Sequence, residues 1–128
     1  MKIAVIGAGA SGFMAAITAK EKNNHAQVDI IEKSNRALTK VKISGGGRCN
    51  VCNYILSTQE LIKNYPRGGN KLKKSFHQFN VNDTINWFER RKVDLKTEED
   101  KRMFPKSNTS QTIIDLFLIS PASYFIIS

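Results

Sequence analysis

The residue types best suited to chemistry lie in two glycine-rich stretches near the N-terminus. The first, GAGASG, covers residues 7–12 and has the G-x-G-x-x-G spacing; the second, ISGGGRCNVCN, covers residues 43–53 and holds three consecutive glycines, an arginine and both cysteines of the chain. Glycine-rich turns of the first kind can cradle a phosphate. For the second stretch, four interpretations are open: a turn, half of a zinc site, a redox dithiol, or another phosphate cradle.

The elements around the first stretch favour a phosphate site. Lys2–Ile6 (KIAVI) is a short β-branched run, typical of a strand buried in a parallel sheet, and a helix is expected over Phe13–Lys22. Val28–Ile31 predicts a second strand, closed by Glu32. A strand, a glycine turn, a helix, a second strand and a spaced acid form the context in which G-x-G-x-x-G marks a dinucleotide site. The alternative is a glycine-rich βαβ turn that binds nothing.

Each position of this motif has a physical role. Gly7 allows the sharp turn from strand to helix, Gly9 lets a pyrophosphate approach the backbone, and Gly12 lets the helix lie close to the strand. Glu32 lies twenty residues beyond Gly12, where a carboxylate can accept hydrogen bonds from an adenosine ribose. A glutamate there repels a 2′-phosphate, so NADP is the least favoured ligand, whereas NAD and FAD both remain open.

The second stretch has the composition of an anion site. The glycines of Gly45–Gly47 can turn several amide N–H groups towards one point and form a nest. Arg48 adds a planar fork of donors that matches phosphate oxygens. Ser44 and Asn50 are predicted to cap a short helix that starts near Arg48. No Gly-Lys-Ser/Thr follows at the spacing of a Walker A loop. Two phosphate-directed turns predict one diphosphate held from two sides.

These motifs together carry a family resemblance. GAGASG, the IIEK that ends the second strand, and ISGGGRCNVCN resemble the FAD-binding flavoproteins related to aminoacetone oxidase and BaiN, which are NAD(P)/FAD-dependent oxidoreductases. YPRGGNKLKKSFHQFNVNDTINWFE and RMFPKSN add to the likeness, which runs from Met1 to about Leu116. The resemblance implies an α/β, Rossmann-like FAD/NAD(P)-binding domain with a glutathione-reductase-like βαβ start, here incomplete. It also implies FAD as cofactor and hydride transfer between a small substrate and the flavin.

Carried over position by position, the resemblance implies a set of cofactor-binding residues. The first glycine turn would hold the FAD pyrophosphate, Glu32 would bind the adenosine ribose and Lys33 would flank the adenine, while Lys40 and the second glycine turn would line the flavin-side half. The set is Gly7, Gly9, Ala10, Ser11, Gly12, Glu32, Lys33, Lys40, Gly45, Gly46, Gly47, Arg48, Cys49 and Asn50. The sequence names no catalytic acid or base, no substrate and no oligomeric state.

Cys52 departs from the family pattern, which usually has threonine there, and it creates a C-x-x-C with Cys49. A structural zinc site would need a second pair of ligands, and His25 and His77 lie far away in other predicted elements. A working dithiol would need the pair at a helix N-terminus. We therefore expect no metal, with Cys49 packed against the cofactor and Cys52 incidental.

The remainder of the chain predicts further helices and strands. The expected elements are helices over Ser75–Phe79 and Val81–Arg91, short strands at Val93–Thr97 and Arg102–Phe104, and a helix over Thr109–Leu118. Asn82 or Asp83 is predicted to cap the second helix. We expect the aromatic residues Phe76, Phe79 and Trp87 to be core or subunit-packing residues.

Composition limits the partners. The 128 residues fit at most one domain, and 20 Lys+Arg against 11 Asp+Glu give a formal net charge of +9. That charge suits an anionic partner, but the basic residues are spread out and no groove-reading motif accompanies them, so we expect no nucleic-acid partner. The N-terminus has no signal peptide and the apolar C-terminus is too short to span a bilayer, which predicts a cytoplasmic protein without a membrane partner.

The C-terminal end breaks the amphipathic pattern. After Asp115 no charged residue follows, and Pro121 interrupts the expected helix. We therefore expect residues 1–117 to be the N-terminal part of an FAD-binding domain and residues 118–128 to be an atypical apolar tail, such as a truncation or frameshift leaves. Two functions follow: an FAD-binding oxidoreductase whose N-terminal fragment lacks full activity, or a non-catalytic adenine-dinucleotide-binding module or inert remnant.

Overall fold

The computed structural model describes residues 1–119 and 123–126, which fall into two compact units. Unit 1 combines Met1–Cys49 with Thr109–Ser128, and unit 2 is Asn50–Asn108. In chain order the elements are β1 (Lys2–Ile6), α1 (Ala10–Lys22), β2 (Gln27–Glu32), α2 (Thr39–Gly47), β3 (Cys52–Asn53), α3 (Thr58–Lys63), α4 (Gly69–Gln78), α5 (Val81–Glu89), β4 (Leu95–Thr97), β5 (Arg102–Pro105), α6 (Gln111–Leu118) and β6 (Ser123–Ile126).

Unit 1 is built on a parallel sheet in the order β1-β2-β6. The register pairs Ile3 with Val28 and Val5 with Ile30, so the apolar residues of both strands lie on one face. Val28 and Ile30 are buried on that face. β1 and β2 are parallel and joined through α1, the connection that a parallel pair requires. The βαβ unit expected from the sequence is therefore present.

Two helices close the core of unit 1. In α1, Phe13, Ala16 and Ile17 are buried. The ring of Phe13 lies 5.7 Å from that of Phe117 in α6, which is the contact distance of a tilted aromatic pair. The side chain of Ser110, just before α6, donates to the carbonyl of Lys42 in α2. Hence α6 is tied to both α1 and α2.

Unit 2 has an antiparallel sheet in the order β3-β5-β4, with the helices α3, α4 and α5. Met103 and Phe104 of β5 and Trp87 and Phe88 of α5 are among its buried residues. α3 and α4 approach closely, since a Cβ added to Gly69 would lie 2.5 Å from the carbonyl oxygen of Ile62. Glycine at this position therefore sets the distance between the two helices.

Several expected boundaries differ from the structure. Helix α1 begins at Ala10, inside the glycine motif, because the Gly9 carbonyl already accepts the amide of Phe13. The prediction of a short helix that starts near Arg48 was wrong, because α2 runs from Thr39 to Gly47 and ends where that helix was expected to begin. The strands at β4 and β5 and the helix α6 lie where the sequence predicted them, within one or two residues.

The aromatic residues of unit 2 divide between core and surface. Trp87 is buried as expected, Phe76 is half-buried and Phe79 is exposed. Phe79 is the C-cap of α4, so the expectation that it is a core residue does not hold within this chain. Of the expected tail, Ser123–Ile126 pairs as β6 with β2, whereas residues 120–122, including Pro121, and 127–128 lie outside the described residues. The boundary at residue 117 stays a prediction.

No helix within the described residues is long and apolar enough to cross a membrane.

Candidate functional site

The first glycine turn is held by three hydrogen bonds to two neighbouring segments. Gly7 has a φ of +100°, which glycine adopts without strain, and its amide donates to the carbonyl of Ile31 at 2.7 Å. The amide of Ala8 donates to Oε2 of Glu32 at 2.8 Å. The carbonyl of Ala8 accepts the amide of Leu38, also at 2.8 Å. The turn is therefore fixed between the end of β2 and the start of α2 before any ligand binds.

The N-terminus of α1 opens from this turn. Gly9 is the N-cap, no side chain caps the helix, and its first turn holds no acidic residue. The amides of Ala10, Ser11 and Gly12 occupy the first three helical positions, where the helix itself offers no acceptor. Together with the helix dipole they form a site for an anion. The basic end of α1, with Lys20 and Lys22, is at the opposite terminus, where it complements the dipole.

A cleft of about 560 Å³ lies at this helix terminus. It has the size of a small-molecule site. The lining residues come from the glycine turn, the end of β2 and the segment that leads into α2: Ala8, Gly9, Ala10, Ser11, Glu32, Ser34, Arg36, Leu38, Thr39, Lys40 and Val41. Of the residues expected from the sequence, the structure brings Gly9, Ala10, Ser11, Glu32 and Lys40 together around this space.

Glu32 is anchored on both carboxylate oxygens. Oε2 accepts the amide of Ala8, and Oε1 accepts the amide of Ser34 at 2.8 Å. The amide of Ala8, followed by the amide and hydroxyl of Ser34, lowers the pKa of Glu32 from 4.5 to about 2. The side chain is thus ionised at neutral pH. Since a carboxylate has about four acceptor positions, the bonds from Ala8 and Ser34 leave capacity for a ligand hydroxyl.

Gly9 and Gly12 differ in what surrounds them. A Cβ added to Gly9 would meet no atom within 4 Å, and the φ of −91° at Gly9 suits any residue. A Cβ added to Gly12 would lie 1.9 Å from the carbonyl oxygen of Gly7. Gly12 is therefore needed for helix packing, whereas the protein itself does not need glycine at position 9. An adenine dinucleotide fits this arrangement, because its pyrophosphate would fill the space beside the bare Gly9 backbone.

The segment from Ser34 to Val41 forms a wall of the cleft that the sequence did not predict in full. Only Lys40 had been singled out there, whereas Arg36, Leu38 and Thr39 also line the space. Leu38 is 2% exposed and has a left-handed φ of +55°, uncommon for leucine. Nothing in the amino-acid sequence indicates that Leu38 adopts a left-handed φ. The +2 charge of Arg36 and Lys40 faces a cleft that holds one carboxylate, which suits an anionic ligand.

The second glycine turn is present but does not line this cleft. Gly45, Gly46 and Gly47 all have positive φ, of 57°, 68° and 85°, and they break the helical path of α2. The carbonyl of Gly47 accepts the amide of Ser110 at 2.8 Å, which ties the turn to the start of α6. The amide of Cys49 donates to the carbonyl of Ser44 at 3.0 Å. Gly7, Gly12 and Lys33 are likewise absent from the lining, although Gly7 and Gly12 shape the turn.

The two cysteines lie in environments that suppress thiolate formation. Cys49 is buried in unit 1, and burial raises its pKa, with a smaller opposing effect of the Ser44 side chain. Cys52 lies in unit 2, where burial raises its pKa from 9.0 to about 11 and its Sγ lies 3.5 Å from Sδ of Met103. Both are free cysteines. Neither has the depressed pKa that a redox thiol requires.

Arg48 and Asn50 fall on either side of the unit boundary. Arg48 is the C-cap of α2 in unit 1 and is half-buried. Asn50 is the first residue of unit 2, and with its amide correctly oriented its nitrogen donates to the carbonyls of Met103 and Cys52. In the part of the chain that the structure describes, no group of three or more His, Cys, Asp or Glu side chains could hold a metal ion.

Comparison with known proteins places this geometry in a family context. The model of the HI0933-like protein Rossmann domain family matches residues 1–123. A curated relative, 3-dehydro-bile acid delta(4,6)-reductase from Clostridium scindens, is 29% identical over 115 residues. The aligned segment covers 90% of this chain but 27% of the reductase. The chain therefore spans about a quarter of the length of that relative. The Rossmann-like fold expected from the sequence is confirmed.

Proposed function

Because the chain belongs to the HI0933-like protein Rossmann domain family, we propose that it binds FAD and that unit 1 holds the adenosine diphosphate half of this cofactor. The observation that carries the proposal is the open backbone at Gly9, beside an uncapped helix terminus and within a cleft of about 560 Å³. This combination suits a pyrophosphate. The relative's activity as a reductase supports a redox function for the complete flavoprotein to which such a unit would belong.

Different residues of the cleft are proposed to bind different parts of the ligand. The amides of Ala10 and Ser11 donate to pyrophosphate oxygens, aided by the dipole of α1. The ionised Glu32 accepts from a ribose hydroxyl with the acceptor capacity that Ala8 and Ser34 leave. Arg36 and Lys40 line the same space and offset the charge of the diphosphate. Lys33 flanks the adenine in this proposal, as the family resemblance implies.

FAD supplies hydride transfer when it is bound. The second glycine turn, Gly45, Gly46 and Gly47 with Arg48, Cys49 and Asn50, is proposed to line the flavin-side half, on the ground of the family resemblance. The left-handed backbone of the three glycines supports this role, since such a turn exposes main-chain groups without side chains in the way. No side chain of the described residues is assigned to proton transfer, and the substrate is a small molecule of unassigned class.

A comparison of ligands tests the proposal. We expect the purified chain to bind FAD, with binding measured by the quenching of flavin fluorescence. We also expect ADP to displace FAD, because both ligands have the diphosphate proposed to bind at the N-terminus of α1. FMN lacks the adenosine half and serves as the matched control, so it should bind more weakly than FAD. Equal binding of FMN, or FAD binding that ADP does not affect, would contradict a site for the adenosine diphosphate half.

A second candidate function is a binding module without turnover. It is favoured by the raised pKa values of Cys49 and Cys52, because neither thiol of the C-x-x-C is then a ready thiolate for redox chemistry. In this case FAD would bind as above, but photoreduced flavin in the complex would be reoxidised at the rate of free flavin. If the chain is folded but binds neither FAD nor ADP nor NAD, it is instead an inert remnant.

A further inference from the structure

A second cleft, of about 460 Å³, lies in unit 2 between the end of α3 and the start of α4. This volume is within the range of small-molecule sites. Its lining comes from both helices and from the turn that joins them, and it includes Ile62, Lys63, Tyr65, Pro66, Gly69 and Lys71. None of these residues is among those proposed to bind FAD.

Two glycines of the turn shape this cleft. Gly69 lets the helices approach, because a Cβ there would lie 2.5 Å from the carbonyl oxygen of Ile62. Gly68 has a left-handed φ of +82°, and a Cβ there would meet no atom within 4 Å. The turn is therefore tightly packed at Gly69 and open at Gly68, where a ligand has room to approach the main chain.

The segment that forms the cleft is basic. Between Glu60 and Asp83 the sequence has no acidic residue, and its basic residues are Lys63, Arg67, Lys71, Lys73 and Lys74. Lys63 pairs with Glu60 at 2.6 Å, but the side chains are 68% and 59% exposed, so this pair is weak and open to competition. Within the described residues, Arg67 and Lys71 form no ion pair. The cleft therefore offers positive charge to an anion.

The same cleft has an aromatic and apolar part. Ile62, Tyr65 and Pro66 contribute to the lining, and the ring of Tyr65 lies 5.7 Å from the ring of Phe76. Contact with Phe76 holds the Tyr65 ring in place, while 42% of Tyr65 remains exposed. An exposed aromatic ring provides a surface on which a nucleobase can stack. The cleft thus combines a stacking surface with lysines that suit phosphate groups.

From this combination we propose that the cleft of unit 2 binds a nucleotide with two or more phosphate groups. The base stacks on Tyr65, and the phosphates pair with Lys63 and Lys71. Arg67, on the turn, adds to the positive field. This cleft has no acidic lining residue among those that the structure describes, whereas Glu32 in unit 1 repels a 2′-phosphate. The proposal rests on unit 2 alone and is independent of FAD binding.

The test is a titration of the isotope-labelled chain with adenosine 2′,5′-bisphosphate, followed by NMR at the main-chain amides. This probe favours unit 2, because Glu32 disfavours its 2′-phosphate in unit 1. We expect the amides of Gly69 and Asn70, which line the cleft, to shift and to saturate at lower concentrations than the amides of Ala10 and Ser11. Shifts confined to Ala10 and Ser11 would overturn the proposal, and they would leave the FAD site untouched.

Adenosine and inorganic pyrophosphate each supply one part of the probe. Adenosine lacks the phosphates and pyrophosphate lacks the base, so both should bind the cleft more weakly than the bisphosphate, by about fivefold or more. Pyrophosphate that binds as tightly as the bisphosphate would show a site for any small anion and would overturn the assignment of a nucleotide.

A pair of lysine variants locates the phosphate contact. Lys71→Gln removes a charge-assisted hydrogen bond and should weaken binding of the bisphosphate by about fivefold or more. Lys74→Gln is the matched control, because Lys74 is an exposed residue of the same helix that does not line the cleft. It should bind nearly as the wild type does. Equal losses in the two variants would show general attraction to a basic surface and would contradict a site in the cleft.

Substitution of Tyr65 separates the base from the phosphates. Tyr65→Leu should weaken the bisphosphate by about fivefold or more and leave pyrophosphate binding unchanged, because only the bisphosphate has a base to stack. Tyr65→Phe keeps the ring, preserves the contact with Phe76 and should bind like the wild type. Unchanged binding of the bisphosphate by Tyr65→Leu would overturn the proposed stacking.

Discussion

Glu32 anchors the first glycine turn without a ligand, and we propose that it also binds the ribose of FAD. Its position at the end of a strand, a fixed distance after the glycine motif, was readable from the sequence. Its bonds to the amides of Ala8 and Ser34 were not, because they depend on how the turn folds back over β2. The carboxylate therefore helps to hold the turn that we propose as the pyrophosphate site.

The pH dependence of stability tests the anchoring by Glu32. Its pKa in the folded chain, about 2, is below the usual value of 4.5, so its stabilising effect is complete above pH 4.5 and is lost as the pH falls towards 2. We expect Glu32→Gln to unfold at lower urea concentration than the wild type at neutral pH, with the difference shrinking as the pH falls below 4.5. Asp115→Asn, whose carboxylate accepts from the Gln111 side chain instead of main-chain amides, is the control. A difference that grows towards low pH would contradict the anchoring.

Cys52 should be unreactive in the folded chain. A pKa raised from 9.0 to about 11 lowers the thiolate fraction near neutral pH about a hundredfold. We expect alkylation of Cys52 by iodoacetamide to be slower by about this factor in the native chain than in urea, followed by mass spectrometry of its peptide. If Cys52 were alkylated in the native chain as fast as in the unfolded chain, or faster, the result would support a reactive dithiol formed by Cys49 and Cys52.

Some site residues could not be predicted from residue types. Gly7, Gly9 and Gly12 were identified by their spacing. Gly7 has a positive φ and Gly12 has no room for a Cβ, whereas Gly9 leaves space that suits a ligand. Leu38 was not, because nothing in a leucine indicates a left-handed φ; tertiary contact imposes it, through the bond of its amide to Ala8. Arg36, two residues before Leu38, lines the same cleft and was likewise not predicted.

At the scale of elements, the approach of α1 to β1 depends on the missing side chain at Gly12. A Cβ there would lie 1.9 Å from the Gly7 carbonyl oxygen, so the helix or the turn would have to move. We expect Gly12→Ala to lower the free energy of unfolding by about 1–3 kcal/mol, the usual cost of overpacking. Urea denaturation measures it. Gly9→Ala, which meets no atom within 4 Å, is the matched control and should unfold like the wild type. Equal stability of the two variants would show that α1 does not pack as described.

Helix α5 of unit 2 begins with a reciprocal cap that the sequence placed two or three residues too late. The cap is Asn80, whose Oδ1 accepts the amide of Asp83 at 3.2 Å, while Oδ2 of Asp83 accepts the amide of Asn80 at 2.8 Å. Asp83 had been predicted as a possible cap. It is instead the third residue of the helix, and its side chain accepts the amide of the true cap, Asn80. Boundaries shift in this way because polar residues at adjacent positions compete for one cap.

Removal of this cap should be measurable. We expect Asn80→Ala to destabilise the chain by about 1 kcal/mol, because two main-chain donors lose an acceptor or its geometry. Asn82→Ala removes an exposed asparagine of the same helix and should have little effect. Thermal unfolding of both variants provides the comparison, and a larger loss for Asn82→Ala would contradict the assigned cap.

At the scale of the whole molecule, family and fold were readable from the sequence, whereas the arrangement of the site was readable only in part. The resemblance to FAD-binding flavoproteins is confirmed by the family match over residues 1–123. The division into two units was not foreseen, because unit 1 is assembled from segments separated by all of unit 2. The convergence of two glycine turns on one diphosphate stays a prediction, since only the first turn lines the cleft.

The most direct measurement of the central claim is an FAD titration of the wild type, Gly9→Ala and Ala15→Leu. A methyl group at Gly9 fits the empty protein but occupies the space proposed for the pyrophosphate. We expect it to weaken FAD binding by about tenfold or more, equivalent to about 1.4 kcal/mol, with no change in stability. Ala15→Leu, on the exposed side of α1, should bind like the wild type. Unchanged affinity of Gly9→Ala would contradict the claim that this turn holds the cofactor.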